Sequence, residues 1–340
     1  MVFDDAEDMT TNIRQWLSPR YFVVLILLVT IVVSMPPVEA AKYAGDPFSL
    51  GVGGRGLAMG GAVIAGPFDA TAAYWNPAGL ARLSTRQITA MHAETFGSLL
   101  NQDFVAYTDA RPRTGGPFRA FSFYIYYIGG GGIKITRQDE QTGRYYVLRE
   151  ESHADVLFSA AIAGELSPRL DFGLTVKIIH RNLGTETGKG LTLDAGLLYS
   201  VRPWLQAGLM VTDATSGFIR YTGETFGSGG YTESIYPTVK PGLMLQRPLG
   251  DFVVRMAVSG DIKFEHLNEA AQYHTGSLSL DSHYGWELAW KEMLFGRMGF
   301  DIGRFTAGGG LAIGRTTVDF AYLHHSDLDE TFRVSAAYRL

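Results

Sequence analysis

The sequence predicts an all-β chain: a transmembrane antiparallel β-barrel of about 14 strands, with an N-terminal plug or hatch segment inside the lumen. Three observations predict it. From about Gln87 onward, apolar and polar residues alternate with a period of two, which puts them on opposite faces of a strand. Most alternating segments run 9–13 residues, near the ~9–11 that cross a bilayer as a tilted strand and beyond the ~5–6 typical of soluble sheets. The connections between them are short and long in turn, as in barrels with tight turns at one rim and longer loops at the other.

The alternating segments fall at 86–95, 101–110, 117–129, 153–165, 170–182, 189–201, 204–213, 235–247, 251–263, 282–290, 293–302, 304–313, 315–324 and 331–340. In the last of them Phe332, Val334, Ala336, Tyr338 and Leu340 oppose Thr331, Arg333, Ser335, Ala337 and Arg339. Within 251–263, Phe252, Val254, Met256, Val258 and Ile262 oppose Asp251, Arg255, Ser259, Asp261 and Lys263. A soluble sandwich would leave such a charged face in water. An even-stranded barrel instead closes the sheet, has no edge, and pairs every backbone group inside lipid. Its apolar faces then meet lipid. The lumen receives Asp171, Lys177, Arg181, Asp194, Arg255, Asp261, Lys263, Arg297, Asp301, Arg304, Asp319, Arg333 and Arg339. Mixed signs there imply ion pairs rather than a single-sign pore.

Short connections at 166–169, 202–203, 248–250, 291–292 and 314 mark one rim. Longer ones at 130–152, 183–188, 214–234, 264–281 and 325–330 mark the other, with short hairpins near 96–100 and 303 as exceptions. This pattern places the C-terminus at the periplasmic rim. The stretch Lys134 to Glu151 carries both signs and reads as solvated loop. Tyr221 to Tyr236, "YTGETFGSGGYTESIY", mixes Tyr with Gly and Ser, a composition suited equally to adaptable recognition and to any flexible loop. His324-His325-Ser326-Asp327, with Asp329 and Glu330, is read as a solvated loop, because adjacent histidines point apart and no Ser lies in a nucleophile elbow.

Composition agrees with an exported barrel. The 340 residues include 41 Gly, 17 Tyr, 20 Phe and no Cys, which excludes disulfides and thiolate metal sites. A formal net charge of −5 gives no electrostatic case for nucleic acid. Tyr21 to Met35 is an uncharged apolar run of 15 residues, preceded by Arg14 and Arg20 and followed by Pro36, Pro37 and Val38-Glu39-Ala40. It is shorter than the ~20 residues of a spanning helix and ends in small residues, so residues 1–40 read as a signal peptide cleaved after Ala40. Asp4, Asp5, Glu7 and Asp8 are foreign to such a leader, which makes Met9 an alternative start to Met1.

Residues 41–84 do not alternate and precede the first strand, while 85–340 form the barrel region. Their Gly51, Gly53 and Gly56 spell G-x-G-x-x-G. No βαβ unit surrounds that spacing, and the next acid, Asp69, follows too soon for a dinucleotide site. Asn76 is placed to cap a short helix with Pro77 at its first position, and Asp69 to Trp75 to form another helical turn. Such an apolar, Gly-rich, non-strand segment is best accommodated in the lumen.

The run Gly54-Arg55-Gly56-Leu57-Ala58-Met59-Gly60-Gly61-Ala62, then Asp69-Ala70-Thr71-Ala72 and Asn76-Pro77-Ala78-Gly79-Leu80, resembles the start of the PorV/PorQ family, a branch of the FadL-like outer-membrane barrels. The match is specific over roughly residues 45–84 and architectural elsewhere. It implies hatch roles for Gly54, Gly56, Gly60, Gly61, Asn76, Pro77, Ala78 and Gly79. It also implies an integral outer-membrane protein with no catalytic, metal or cofactor site. The main functional expectation is a non-enzymatic partner in protein secretion, surface attachment or envelope assembly, meeting secreted or envelope proteins through its external loops. The alternative is FadL-like, hatch-gated transport of hydrophobic molecules.

Overall fold

The computed structural model describes residues 46–95, 99–110, 117–223, 227–264, 271–324 and 330–340. The expected signal peptide, its cleavage site and the alternative start lie outside the described residues, as do residues 325–329.

Among the described residues seventeen strands form one antiparallel sheet. The first seven are β1 (Arg86–Thr95), β2 (Leu100–Asp109), β3 (Phe118–Gln138), β4 (Tyr145–Ser167), β5 (Leu170–Asn182), β6 (Glu186–Arg202) and β7 (Leu205–Thr212). They are followed by β8 (Phe218–Gly223), β9 (Gly227–Ser234), β10 (Thr238–Leu249), β11 (Phe252–Lys263) and β12 (Tyr273–Thr275). The last are β13 (Leu278–Trp290), β14 (Leu294–Asp301), β15 (Arg304–Ile313), β16 (Thr316–Leu323) and β17 (Thr331–Arg339). Leaving aside β8, β9 and β12, fourteen strands make a closed ring, with β7 paired to β10 and β11 to β13. The ring shuts where β17 returns to β1, from Gln87 opposite Arg339 to Glu94 opposite Phe332. Each of the fourteen expected segments corresponds to one ring strand.

The three extra strands correct the sequence reading. Residues 130–152, expected as loop, carry β3 and β4 past the ring as a paired hairpin, with Lys134 opposite Glu150 and Gln138 opposite Tyr145. Solvent meets both of its faces, so alternation has nothing to select there; Tyr145 is 72% exposed. The β8–β9 hairpin likewise prolongs the sheet above β6, and β12 pairs with the start of β13.

The ring is inside-out relative to a soluble sheet. Outward positions such as Leu243, Met256, Met298, Phe320 and Val334 are exposed, whereas Lys177, Asp194, Arg255, Glu287, Arg297, Asp319 and Arg333 are buried on the inner face. Of the charged residues expected inside, Arg304 and Arg339 are instead exposed, because each ends a strand at a rim. The buried charges pair with one another: Lys177 with Asp194 (2.7 Å) and Asp213 (2.8 Å), Arg181 with Asp155 (2.9 Å), and Arg297 with Asp319 (2.6 Å). Burying a charge is costly, and partners of this kind offset the cost.

The tight connections at 168–169, 203–204, 250–251, 291–293 and 314–315 lie at one rim with the start of β1 and the end of β17. Connections at the other rim are mostly longer, with 302–303 between β14 and β15 the shortest, while the β2–β3 connection at the short-turn rim spans 110–117. Among the described residues no helix is long and apolar enough to cross a membrane.

Candidate functional site

Residues 46–84 run as short helical turns joined by bends: a 3-10 turn at Asp46–Ser49, α1 (Gly54–Ala58), α2 (Ala72–Trp75) and a second 3-10 turn at Pro77–Arg82. Gly53 leads into α1 at φ 78°, a left-handed conformation that suits glycine. Asn76 caps the Pro77–Arg82 turn as the sequence suggests: its Oδ1 accepts from the Ala78 amide at 3.1 Å, and Pro77 occupies the first position. The same side chain donates from Nδ2 to the carbonyls of Ile64 (2.8 Å) and Leu197 of β6 (3.2 Å). One fully buried amide therefore joins two passes of the segment to the wall.

Glycines on the inner face of the strands receive this segment. A methyl on Gly173 of β5 would overlap the Pro77 backbone, and one on Gly196 of β6 would overlap the Asn76 side chain. At Gly285 of β13 it would stand 2.5 Å from the Met59 carbonyl oxygen, and at Gly299 of β14 2.6 Å from the Gly60 nitrogen. Gly173 lies opposite Gly196, and Gly285 opposite Gly299, so the notches are continuous across neighbouring strands. Sequence reading missed them. The available signal was a glycine in the polar phase of a strand, as Gly173 falls between Asp171 and Lys177.

The eight residues singled out in the sequence all lie in this segment, and the structure gives them distinct neighbours. Gly54 approaches the Asp319 backbone, Gly56 the Trp75 ring, Gly60 the Phe300 backbone and Gly61 the His283 imidazole. Pro77 and Ala78 face Gly173, while Gly79 lies under the Phe68 ring.

Charge fixes the segment on the opposite side. Arg55 of α1 grips Glu287 of β13 with two prongs, Nη2–Oε1 at 2.7 Å and Nε–Oε2 at 2.9 Å. The same carboxylate accepts from Arg255 and Arg297, each at 2.6 Å. Burial alone would lower the Arg55 pKa, but the carboxylate outweighs it and holds the guanidinium above its ordinary value.

The interior has two chemical characters. Around β10–β17 it is ionic. Along β2–β5, toward the long-connection rim, an apolar cluster lies beside the Lys177–Asp194 and Arg181–Asp155 pairs: Phe104, Tyr124, Tyr126, Ile128, Leu157 and Ile179 are buried together with Phe48 of the inner segment. Ring centroids of Phe104 and Tyr124 are 5.3 Å apart, and Tyr74 meets Tyr126 edge-on at 6.0 Å. The Tyr74 hydroxyl donates to the Phe48 carbonyl at 2.7 Å, so the segment braces itself against the aromatic wall. In sequence this wall shows as "FSFYIYYI", apolar in both strand phases. At the short-turn rim, cavities of about 320 and 230 Å³ both border Arg55, Phe68 and Glu292.

Among the described residues no group of acids and histidines is arranged to hold a metal ion. His324 and Glu330 lie near the Tyr322 hydroxyl at 3.4 and 3.5 Å, and the remainder of that histidine-acid loop lies outside the described residues.

No family model and no curated protein matches the chain in sequence. Solved structures match its fold. The toluene transporter TbuX of Ralstonia pickettii is similar at a TM-score of 0.56 and 13% identity, covering 85% of this chain and 98% of that one. The monoaromatic hydrocarbon channel CymD follows at 0.55 and 12%, with the same coverage. The toluene transporter TodX of Pseudomonas putida stands at 0.52 and 11%, again covering 85% and 98%. At these identities the likeness is one of fold, a closed antiparallel barrel. It lends no support to the narrower PorV/PorQ resemblance or to the secretion role drawn from it.

Proposed function

We propose that this protein is a non-enzymatic outer-membrane conduit for small hydrophobic molecules, gated by residues 46–84 acting as a hatch. The observation that carries the reading is the buried aromatic wall of Phe104, Tyr124 and Tyr126, sealed by Phe48 and Tyr74 of the inner segment. An interior that only had to be stable in a barrel could be held by ion pairs alone, such as those that meet at Glu287. Apolar lining under the long-connection rim is what a solute leaving water for a binding pocket requires. The transporters and channel of like fold support the same class of cargo.

In this reading the long connections face outward and both the short turns and the C-terminus face the periplasm. A hydrophobic molecule enters above the aromatic wall, displaces Tyr74 or Phe48 from it, and leaves past Phe68 at the short-turn rim. Asn76 and the Arg55–Glu287 pair keep most of the segment seated while the aromatic contacts yield.

Mass spectrometry of the protein released gently from mild detergent tests the proposal. A bound apolar small molecule, lost in a Tyr124→Arg variant, is the expected result. A stoichiometric protein partner and an empty lumen would instead favour the secretion or assembly role.

A further inference from the structure

Arg333 of β17 is almost wholly buried, yet no carboxylate lies within ion-pair distance of it among the described residues. Its Nη2 donates to the Leu50 carbonyl (3.1 Å) and the Gln102 Oε1 (3.2 Å). Among the described residues its Nε and Nη1 find no acceptor. A guanidinium has five N–H donors, and leaving buried ones unmade is costly. Every other buried arginine described above holds a carboxylate.

Arg333 borders a cavity of about 40 Å³, whose lining also includes Leu50, Gly51, Lys240, Asp261, His283 and Asp301. The two carboxylates are engaged elsewhere: Lys240 holds Asp261 at 2.6 Å, and His283 Nδ1 meets Asp301 at 2.9 Å. Ser49, at the margin of the cavity, is exposed and supplies a way in. A volume of that size holds an ion the size of chloride or formate and excludes a substituted aromatic ring.

The geometry points to a buried binding site for a small monovalent anion, halide or carboxylate, held by Nε and Nη1 of Arg333 between β17 and the Leu50–Gly51 turn. The site bears on the inner segment, because the same guanidinium anchors the Leu50 carbonyl. Binding there stabilises the seated segment, whatever the barrel carries.

The test is thermal unfolding of the purified protein in mild detergent, exchanged into gluconate and titrated with chloride or formate at constant ionic strength. A saturable rise in the midpoint is expected, with bromide replacing chloride. Benzoate, tested in the same way, distinguishes a free small anion from the head group of a larger ligand; it is expected to give no rise, and a rise with benzoate alone would overturn the size assignment. Arg333→Gln is expected to abolish the anion dependence. Should that variant fail to assemble, the parent protein decides alone. A midpoint independent of anion identity would overturn the proposal and leave Arg333 balanced across the cavity by water bridging it to Asp301.

Discussion

Arg55 and Glu287 meet through two charge-assisted hydrogen bonds inside the ring, one partner on the inner segment and the other on β13. Glu287 also receives Arg255 and Arg297, so three guanidiniums converge on one carboxylate. Glu287→Gln leaves that cluster without its central negative charge. The expected cost is about 3–5 kcal/mol, the range for breaking a buried pair. Arg55→Gln should cost less, since the carboxylate keeps its other two partners. Urea unfolding followed by heat-modifiable electrophoretic mobility ranks the two; equal effects would remove Glu287 from the centre of the network.

Gly196 and Gly296 separate a notch from an ordinary strand glycine. A methyl at Gly196 collides with Asn76, while nothing lies within 4 Å of one at Gly296 on the outer face of β14. Gly196→Ala is expected to destabilise by about 1–3 kcal/mol, as overpacking does. Gly296→Ala should be close to neutral. The same unfolding assay compares them, and a tolerated Gly196→Ala would mean that the segment is free to shift.

Asn76→Ala removes the cap on Ala78 and leaves the Ile64 and Leu197 carbonyls without that donor. About 1–3 kcal/mol of stability is expected to be lost for the unsatisfied buried groups. Protease accessibility of residues 46–84 should rise while the ring stays assembled. Unchanged cleavage together with unchanged stability would strip Asn76 of its holding role.

The outer face carries its own prediction. Leu243→Arg, midway along β10, should impair folding into vesicles by about 2–4 kcal/mol if the position meets hydrocarbon. Val147→Arg, on the hairpin beyond the ring, should fall within about 0.5 kcal/mol of the parent. Equal tolerance at both positions would contradict the placement of lipid around the ring.

Where one face is apolar and the other is charged, the sequence is easily read. Period-two alternation located all fourteen ring strands, and Asn76-Pro77 announced its own cap. The β3–β4 extension escaped because both of its faces meet water, so Ile133, Tyr145 and Val147 alternate against nothing. The site was half legible: the motif from Gly54 to Gly79 holds the residues that meet the strand glycines. Its contacts depend on register between distant strands. Gly196 under Asn76 and Glu287 under Arg55 become neighbours only when the ring closes, and no local pattern encodes that meeting.

Passage of a hydrophobic solute is the central claim, and uptake by intact cells measures it most directly. Cells without hydrocarbon channels of their own, expressing this protein, would be given a radiolabelled monoaromatic hydrocarbon at concentrations where the outer membrane limits entry. Expression is expected to speed uptake, and the gain to be lost when Tyr124→Arg places a charge in the aromatic wall of an assembled barrel. Uptake unchanged by an assembled parent protein would contradict it.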